Sequence, residues 1–376
     1  MSRFQYGGQA LIEGVLMRGK TALAVALRHP DGSIVYATER LDLGLRARRA
    51  MKLPFMRGLV VLYDTLVTGT RWLVRSATLQ AEAELAAEEA EKTAGEAAKA
   101  AGKAAGSGGA SVSLMTLLSL AVSPFVGACA AYSDPDTGAP APAHEPSLGK
   151  GYQVAVGGML LMALAMGIGI FFLLPLFLAQ ITIGRVDQGF PFQLTEGLIR
   201  VAIFIVYLLL ISRAADVRRT FMYHGAEHQA IHALEAGDPL TPEAARRHPT
   251  AHPRCGTEFL VVVLIVSILA FAVVGRLSPL WLVISRVVLV PVIAAISYEV
   301  LQFGARHRGH LLVRWLWAPG IWVQAITTRQ PTPDMNEVAI VSLEKALVAD
   351  GNEIPEGSSL FEARPFRPED AAAAAP

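Results

Sequence analysis

The sequence is poor in charged residues, and this shortage excludes an ordinary soluble protein. Only 17% of its 376 residues are charged and 53% are hydrophobic, and the mean hydropathy is +0.42. A soluble domain carries about a quarter charged residues. The shortage is concentrated in a few long apolar runs, which indicates an integral membrane protein.

Cysteine is equally scarce, which excludes a disulfide framework. The chain has two cysteines, Cys129 and Cys255, too few to staple a fold of this size. We place Cys255 on the cytosolic side, where a free thiol is expected. A secretory signal pattern is also lacking, so we expect membrane insertion to start from an internal segment. In the first thirty residues, polar side chains interrupt any apolar stretch that could serve as a signal: Gln5, Gln9, Glu13 and Arg18.

The near-neutral net charge of +1 hides a basic N-terminal arm. Residues 1–57 carry ten Lys and Arg against four acids, a balance typical of a cytoplasmic segment against anionic lipid headgroups. No nucleic-acid partner is expected, because no aromatic-rich base-stacking pattern accompanies the charge. The glycine-rich run at 7–19 is not a P-loop, since no G-K-[ST] follows. Pro30-Asp31-Gly32 between residues 22–29 and 33–39 predicts a β-hairpin.

The predicted fold is mainly α, a polytopic α-helical membrane protein with about four transmembrane helices in two hairpins, a small N-terminal β-hairpin region and cytoplasmic helical segments. The spans are predicted at about 154–182, 194–212, 258–276 and 280–302. Arginines concentrate in the loop between the second and third spans and after the last one. The positive-inside rule therefore places that loop and both termini in the cytoplasm of a bacterial inner membrane.

We divide the chain into nine segments. These are the basic arm and hairpin (1–56), an amphipathic interfacial helix (57–80), an Ala/Glu/Lys-rich helix with a Gly/Ser linker (81–111), an extra apolar segment (112–132), the first transmembrane hairpin (153–213), a cytoplasmic His/Cys loop (214–257), the second transmembrane hairpin (258–302), a Trp-rich interfacial segment with a Pro-Gly break and a C-terminal helix capped by Asn336 (303–350), and a disordered tail (351–376). Whether 112–132 is re-entrant, interfacial or a span stays open, because one full span there would move the basic arm outside.

The strongest chemical signal is the run from Tyr223 to His228, which has the order H-x-x-E-H. On a helix, His224 and His228 lie on one face and Glu227 projects beside them. Two imidazoles and a carboxylate at this spacing can hold a divalent metal and place a base beside it. The alternative is that they are polar residues at a membrane edge, since so short a motif arises easily by chance.

Further ligands are available nearby. Cys255 or His252 can complete a tetrahedral site with the two histidines, and mixed N/S ligation makes zinc the first choice, with iron or manganese behind it. For Cys255 the alternative is a buried inert thiol. Glu299, the one charge that we count within the spans, is either a further ligand or the partner of Arg286, Arg306 or a loop arginine. Arg254 can hold an anionic group.

Several separated segments resemble the YqhQ family of bacterial membrane proteins, known as domain of unknown function 1385. The segments are YGGQALIEGVLMRG (6–19), EGLIRVAIFIVYLLLISRAADVRRTFMYHGAEHQAI (196–231), HPRCGTEFL (252–260), ISYEVLQF (296–303) and APGIWVQAITTRQPTPDMNEVAIVSLEKAL (318–347). The resemblance covers the chain except the Ala-rich insert around 80–150 and the tail.

The resemblance implies a cytoplasmic-membrane protein, described in the family as a predicted metal-dependent enzyme without an established reaction. The positions that carry over are Glu13, Arg18, His224, Glu227, His228, His252, Arg254, Cys255 and Glu299. Glu13 and Arg18 are expected either to pair with one another or to dock on the His/Cys loop. Gln229 stands where family members typically have Lys, and 112–132 looks like an addition.

Three functions are compatible with these observations. The first is a metal-dependent hydrolase at the cytoplasmic leaflet, with Glu227 as its catalytic base. The second is a non-catalytic scaffold or assembly factor, in which the same cluster staples the loop to the helices. The third, a transporter, ranks last because we count only Glu299 as a charge within the spans. Protein partners and the oligomeric state do not follow from the sequence.

Overall fold

The computed structural model describes residues 6–41, 50–101, 165–183, 190–252, 255–274, 277–307 and 310–367, together with residues 158, 161 and 162. It has the mainly helical architecture expected, with an N-terminal β region and, within the described residues, four helices long and apolar enough to cross a membrane. The predicted extra apolar segment at 112–132 lies outside the described residues.

The helices are numbered here in chain order. They are α1 (Met56–Ala101), α2 (Ala165–Ile183, with a π-helical turn at Gly169–Leu173), α3 (Phe190–Ile211), α4 (Ala215–Ala236), α5 (Pro242–Ala245), α6 (Gly256–Val274), α7 (Pro279–Arg306), α8 (Leu311–Thr327) and α9 (Pro333–Ala349). The membrane candidates are α2, α3, α6 and most of α7. The two segments predicted at 57–80 and 81–111 form one continuous helix as far as Ala101.

The β region is a five-stranded sheet rather than one hairpin. Its strands are β1 (Gly7–Leu11), β2 (Gly14–Arg18), β3 (Ala22–Arg28), β4 (Ile34–Arg40) and β5 (Ala363–Pro365), in that order across the sheet. The predicted hairpin is β3 and β4, whose turn contains Gly32 at a φ of +87°. The glycine-rich run forms the β1–β2 hairpin, which we did not predict. β5 pairs in parallel with β4.

Alternate residues of the sheet enter two different cores. Leu16, Leu23 and Val25 face α1, where they pack with Trp72 and Leu73. The residues between them, such as Val15, Met17 and Ala24, face α4 and α9. This is the period-two pattern of a strand buried on both faces. The sheet is therefore a layer between α1 on one side and α4 with α9 on the other.

Two predictions for the C-terminal region are wrong. Asn336 does not cap α9, which begins at Pro333 after Thr332, because proline is well suited to the first turn of a helix. Asn336 is buried instead and donates to Gln229 at 3.3 Å. The tail after residue 351 is not wholly disordered, since Ala363–Pro365 gains backbone hydrogen bonds along β4. Residues 368–376 lie outside the described residues.

The Pro-Gly pair at Pro319 and Gly320 does not break the Trp-rich segment, because α8 runs through it. Gly320 approaches α6 closely, and a Cβ there would stand 3.0 Å from Glu258. Trp315 and Trp322 are exposed, and the position of this segment at the headgroup level stays a prediction. The pair is therefore accommodated by close helix packing.

The count of charges within the spans also needs correction. Glu196 and Arg200 on α3 and Arg286 on α7 are all at most 1% exposed. The Glu196 carboxylate accepts hydrogen bonds from both guanidinium groups. Arg200 also donates to Ser267 Oγ at 2.8 Å and to the carbonyl of Phe171 in the π-helical turn at 2.9 Å. Glu299 is thus not the only charge within the spans. The argument that ranked a transporter last, namely that Glu299 is the one charge there, therefore no longer holds.

One buried carboxyl outside the spans gives a stability prediction. The side chain of Glu344 on α9 is buried, and desolvation by burial raises its pKa to about 7. The folded chain therefore keeps the proton at pH values where the unfolded chain has lost it. The free energy of unfolding should fall as pH rises from about 4.5 to about 7 and then stay low.

We expect Glu344→Gln to raise the stability by about 2 kcal/mol near pH 8 and to change little near pH 4. Thermal unfolding of the detergent-purified chain at both pH values measures the difference. Glu337→Gln, on the same helix but paired with Arg28 at 3.1 Å, is the matched control and should show no gain. An equal effect of Glu344→Gln at both pH values would contradict the prediction.

Candidate metal centre

Helix α4 carries the H-x-x-E-H motif on a buried face. His224, Glu227 and His228 are each at most 4% exposed. The rings of His224 and His228 lie side by side, with centroids 4.4 Å apart, as expected for residues four apart on a helix. The helix ends at Gly237, whose φ of +79° suits glycine in a left-handed cap. The predicted common face is therefore present.

Both histidines are oriented by backbone carbonyl groups. Nδ1 of His224 lies 2.9 Å from the carbonyl oxygen of Thr327, and Nδ1 of His228 contacts that of Thr250. An Nδ1–H that donates to a carbonyl leaves Nε2 as the basic ring nitrogen, the arrangement usual for metal-binding histidines. Within the described part of the chain, Nε2 of His228 is buried without a hydrogen-bond partner. A buried ring nitrogen of this kind is free to bind a ligand such as a metal ion.

Cys255 completes a group of three. Its Sγ atom lies 3.1 Å from Nε2 of His224, and the ligand atoms of His224, His228 and Cys255 all lie within 4.8 Å of one another. Cys255 directly precedes α6, and the backbone N–H of Thr257 points to its sulfur at 3.4 Å. The site thus joins α4 to the start of a membrane-compatible helix.

Glu227 lies beside this group under the edge of the sheet. The backbone amide of Gly8 in β1 donates to the Glu227 carboxylate. A Cβ at Gly8 would stand 3.1 Å from that carboxylate and would overlap the carbonyl oxygen of Leu16. Only glycine allows this approach. Oε2 of Glu227 has no hydrogen-bond partner among the described residues.

Burial shifts the pKa values of Glu227, His228 and Cys255. Desolvation raises the pKa of Glu227 to about 8, although nearby His224 opposes the shift. Burial and the neighbouring imidazoles lower the pKa of His228 well below its usual value. Burial raises the pKa of the Cys255 thiol to about 12. The surroundings favour neutral groups, as expected for a site that needs a cation to balance any negative charge.

The other predicted ligands lie in different places. His252 is buried and belongs to a second group with His232 and Glu235, although its ring lies 5.6 Å from that of His228. Glu299 pairs with Arg57 and accepts a hydrogen bond from the backbone of Phe55 at 2.9 Å. It is in neither group. Arg254 lies outside the described residues.

Glu13 and Arg18 do not pair with one another. Glu13, at a φ of +53° between β1 and β2, binds Arg219 of α4 at 2.5 Å. Arg18 pairs with Asp64 of α1 at 2.5 Å. The ion pair of Glu13 thus docks the sheet on α4, close to Tyr223.

Sequence reasoning missed the residues that support the ligands. Gly8 and the carbonyls of Thr250 and Thr327 act through the backbone, so their side chains give no chemical signal. The two adjacent glycines at 7 and 8 are the one hint of a close approach. Gln229, next to His228, is fully buried and donates to the carbonyl of His248 at 3.0 Å, which fixes the loop beside the site.

Four membrane-compatible helices and a buried His/Cys cluster beside a small sheet define a polytopic membrane protein with a candidate metal centre. The chain belongs to the DUF1385 family, a protein family of unknown function whose model matches residues 53–349. It is 30% identical over 347 residues to the uncharacterized protein YqhQ of Bacillus subtilis (strain 168), which covers 91% of this chain and 92% of that protein. No solved structure matches it.

Proposed function

We propose that this protein is a metal-dependent hydrolase of the bacterial inner membrane, with its centre at the cytoplasmic face. The observation that carries the proposal is the orientation of the two histidine rings by backbone carbonyl groups. Nδ1 of each ring contacts a backbone carbonyl, which leaves Nε2 of both rings as the candidate ligand atoms. Together with the Cys255 sulfur they offer the three protein ligands of an open zinc site.

The donor set fits zinc better than a harder ion. Two imidazole nitrogens and one thiolate suit zinc, whereas carboxylate and carbonyl oxygens suit magnesium or calcium. Zinc held there would supply Lewis acidity and a lowered pKa for water at its open position. Binding requires the Cys255 thiol to lose its proton, against the effect of burial.

Glu227 is the proposed proton carrier. Its pKa of about 8 lets it exchange a proton near neutral pH. One oxygen is hydrogen-bonded by Gly8, and Oε2 has no partner in the described chain. That oxygen is the one available to accept a proton from water. The sheet thus fixes the base from one side while α4 fixes the ligands.

Contacts and charge support the proposed location. The N-terminal sheet, α4 and α9 contact one another, so they lie on one side of any bilayer that the four apolar helices cross. The loop that includes α4 carries several arginines, and the positive-inside rule assigns this side to the cytoplasm.

The near-complete burial of the cluster supports a second function, a structural metal that staples α4 to α6 in a scaffold protein. Structural zinc sites are closed, whereas catalytic sites keep a position open to water. The two functions require the same metal and differ in the role of Glu227.

Elemental analysis of the detergent-purified full chain tests both functions. We expect about one equivalent of zinc in the cluster of His224, His228 and Cys255, and its loss in His224→Ala and His228→Ala. The control His248→Ala, whose ring pairs with Asp238, should keep the zinc. A native chain without metal would contradict both functions.

Glu227→Gln then separates them. A hydrolase should keep its zinc but lose the ability to restore growth to a strain that lacks the gene, because glutamine cannot accept the proton. Loss of general-base catalysis typically costs about 10²–10⁴-fold in rate. Full restoration of growth by Glu227→Gln would favour the structural metal of a scaffold protein.

A further inference from the structure

We propose that His232, Glu235 and His252 form a second divalent-cation site, open to exchange with solvent, through which metal reaches the buried cluster. Their ligand atoms all lie within 4.8 Å of one another. His232 and Glu235 are three apart on α4, so they share a face, and His252 approaches from the loop before α6. We call this trio the outer site and the His224, His228 and Cys255 group the inner site.

The outer site has the supports expected of a metal site. Nε2 of His232 lies 3.0 Å from the carbonyl oxygen of Ala251, a contact that fixes the ring. The backbone of His252 is held twice by Gln324, whose Oε1 accepts from His252 N at 2.8 Å and whose Nε2 donates to the His252 carbonyl at 3.0 Å. Nε2 of His252 points to Oε2 of Glu235 at 3.4 Å.

The two sites differ in donor chemistry and in exposure. The outer site offers two nitrogens and a carboxylate oxygen, a harder set than the two nitrogens and sulfur of the inner site. Glu235 is exposed to solvent, whereas every inner ligand is at most 6% exposed. A hydrated cation therefore meets protein ligands first at the outer site. There a carboxylate can replace part of its water shell.

The histidine rings form a continuous path between the sites. The centroids of His232 and His252 lie 4.5 Å apart, those of His252 and His228 5.6 Å, and those of His228 and His224 4.4 Å. A cation can thus pass between imidazole ligands without full release into an apolar interior, where an unpaired ion is costly. The loading role rests on the proposed inner metal, but cation binding at the outer site does not.

Cobalt binding to the stripped full chain in detergent tests the proposal. Equilibrium dialysis should give two equivalents for the native chain and one for Glu235→Gln and His232→Ala, with the second equivalent weakened at least about tenfold. Glu243→Gln, a surface carboxylate on the neighbouring α5, is the matched control and should keep two.

The thiolate-to-cobalt absorption band reports the inner site alone. Glu235→Gln should keep this band and acquire it more slowly, whereas Cys255→Ala should lose the band and keep one equivalent. If the inner site were wrong, the native chain would show no thiolate band, whereas the outer site would still bind one equivalent.

Three outcomes would overturn the outer site. They are a single equivalent in the native chain that carries the thiolate band, unchanged binding in Glu235→Gln, and loss of the thiolate band in His252→Ala, which would assign His252 to the inner site. A band that forms equally fast in Glu235→Gln and the native chain would overturn the loading role.

Discussion

Glu196→Gln is expected to destabilise the protein by about 3–5 kcal/mol, a large part of the total stability of a typical protein. The Glu196 carboxylate lies between the guanidinium groups of Arg200 and Arg286, and all three side chains are at most 1% exposed. Without it, two like charges face each other within the membrane helices, where charge is costly. The remaining contacts of Arg286 are too weak to compensate: Gln193 at 3.2 Å and the ring of Phe271 at 3.9 Å.

Thermal unfolding in detergent and the yield from the membrane measure this loss. Glu299→Gln is the matched control, since it also removes a carboxylate from a membrane-compatible helix but one paired with Arg57 and partly exposed. Its effect should be near 1 kcal/mol or less. A double variant, Glu196→Gln with Arg286→Met, should recover much of the stability because it removes the excess charge. Equal melting of Glu196→Gln and the native chain would show that the three charges are not coupled.

Gly225→Ala is expected to cost about 3 kcal/mol and to remove the inner metal. A Cβ at Gly225 would overlap the carbonyl oxygen of Arg329, a backbone atom that cannot turn aside. The same backbone segment holds His224, because the Thr327 carbonyl contacts its Nδ1. Separating α4 from this segment therefore also moves the Thr327 carbonyl away from the His224 ring that it orients. Helix propensity alone would favour alanine by about 1 kcal/mol, so a net loss measures the overlap.

Metal content and melting temperature together distinguish this result from simple instability. Gly237→Ala is the control: it also adds a methyl group to α4 and costs about 1–2 kcal/mol through its φ of +79°. Nothing lies near that methyl group within the described structure, so Gly237→Ala should keep its zinc. Full zinc occupancy in Gly225→Ala would contradict the predicted link between the close approach and the site.

Features set by local pattern could be predicted from the sequence. The four spans follow from long apolar runs, the β3–β4 hairpin from its Pro-Asp-Gly turn, and the shared face of His224 and His228 from helical spacing. The β1–β2 hairpin could not be predicted in this way, because its sequence has no comparable turn signal. Its glycines are explained only by contacts in the folded chain, such as that of Gly8 with Glu227. Asn336 looked like a cap because its type is common there, but burial beside Gln229 decided its place.

Contacts between distant segments could not be predicted. Gly8 meets Glu227 only because the sheet docks on α4, and the pairing of β5 with β4 depends on backbone groups that nearly all residue types share. The pairing of Glu299 was among the alternatives, but Arg57 was not among its proposed partners. The charges of Glu196, Arg200 and Arg286 were visible in the sequence, and our count of charges within the spans missed them.

The sheet joins strands from the two ends of the described chain, and this connectivity sets an order of assembly. β5 follows all four membrane-compatible helices, while β4 precedes them. During synthesis the early strands must therefore wait for the last helix to be inserted before α9 and β5 can cover them. Glu227, the proposed base, is hydrogen-bonded by strand β1, yet Cys255, a proposed ligand, and the carbonyl of Thr327 emerge much later. The residues of the candidate centre can thus come together only after the last membrane-compatible helix has been synthesised.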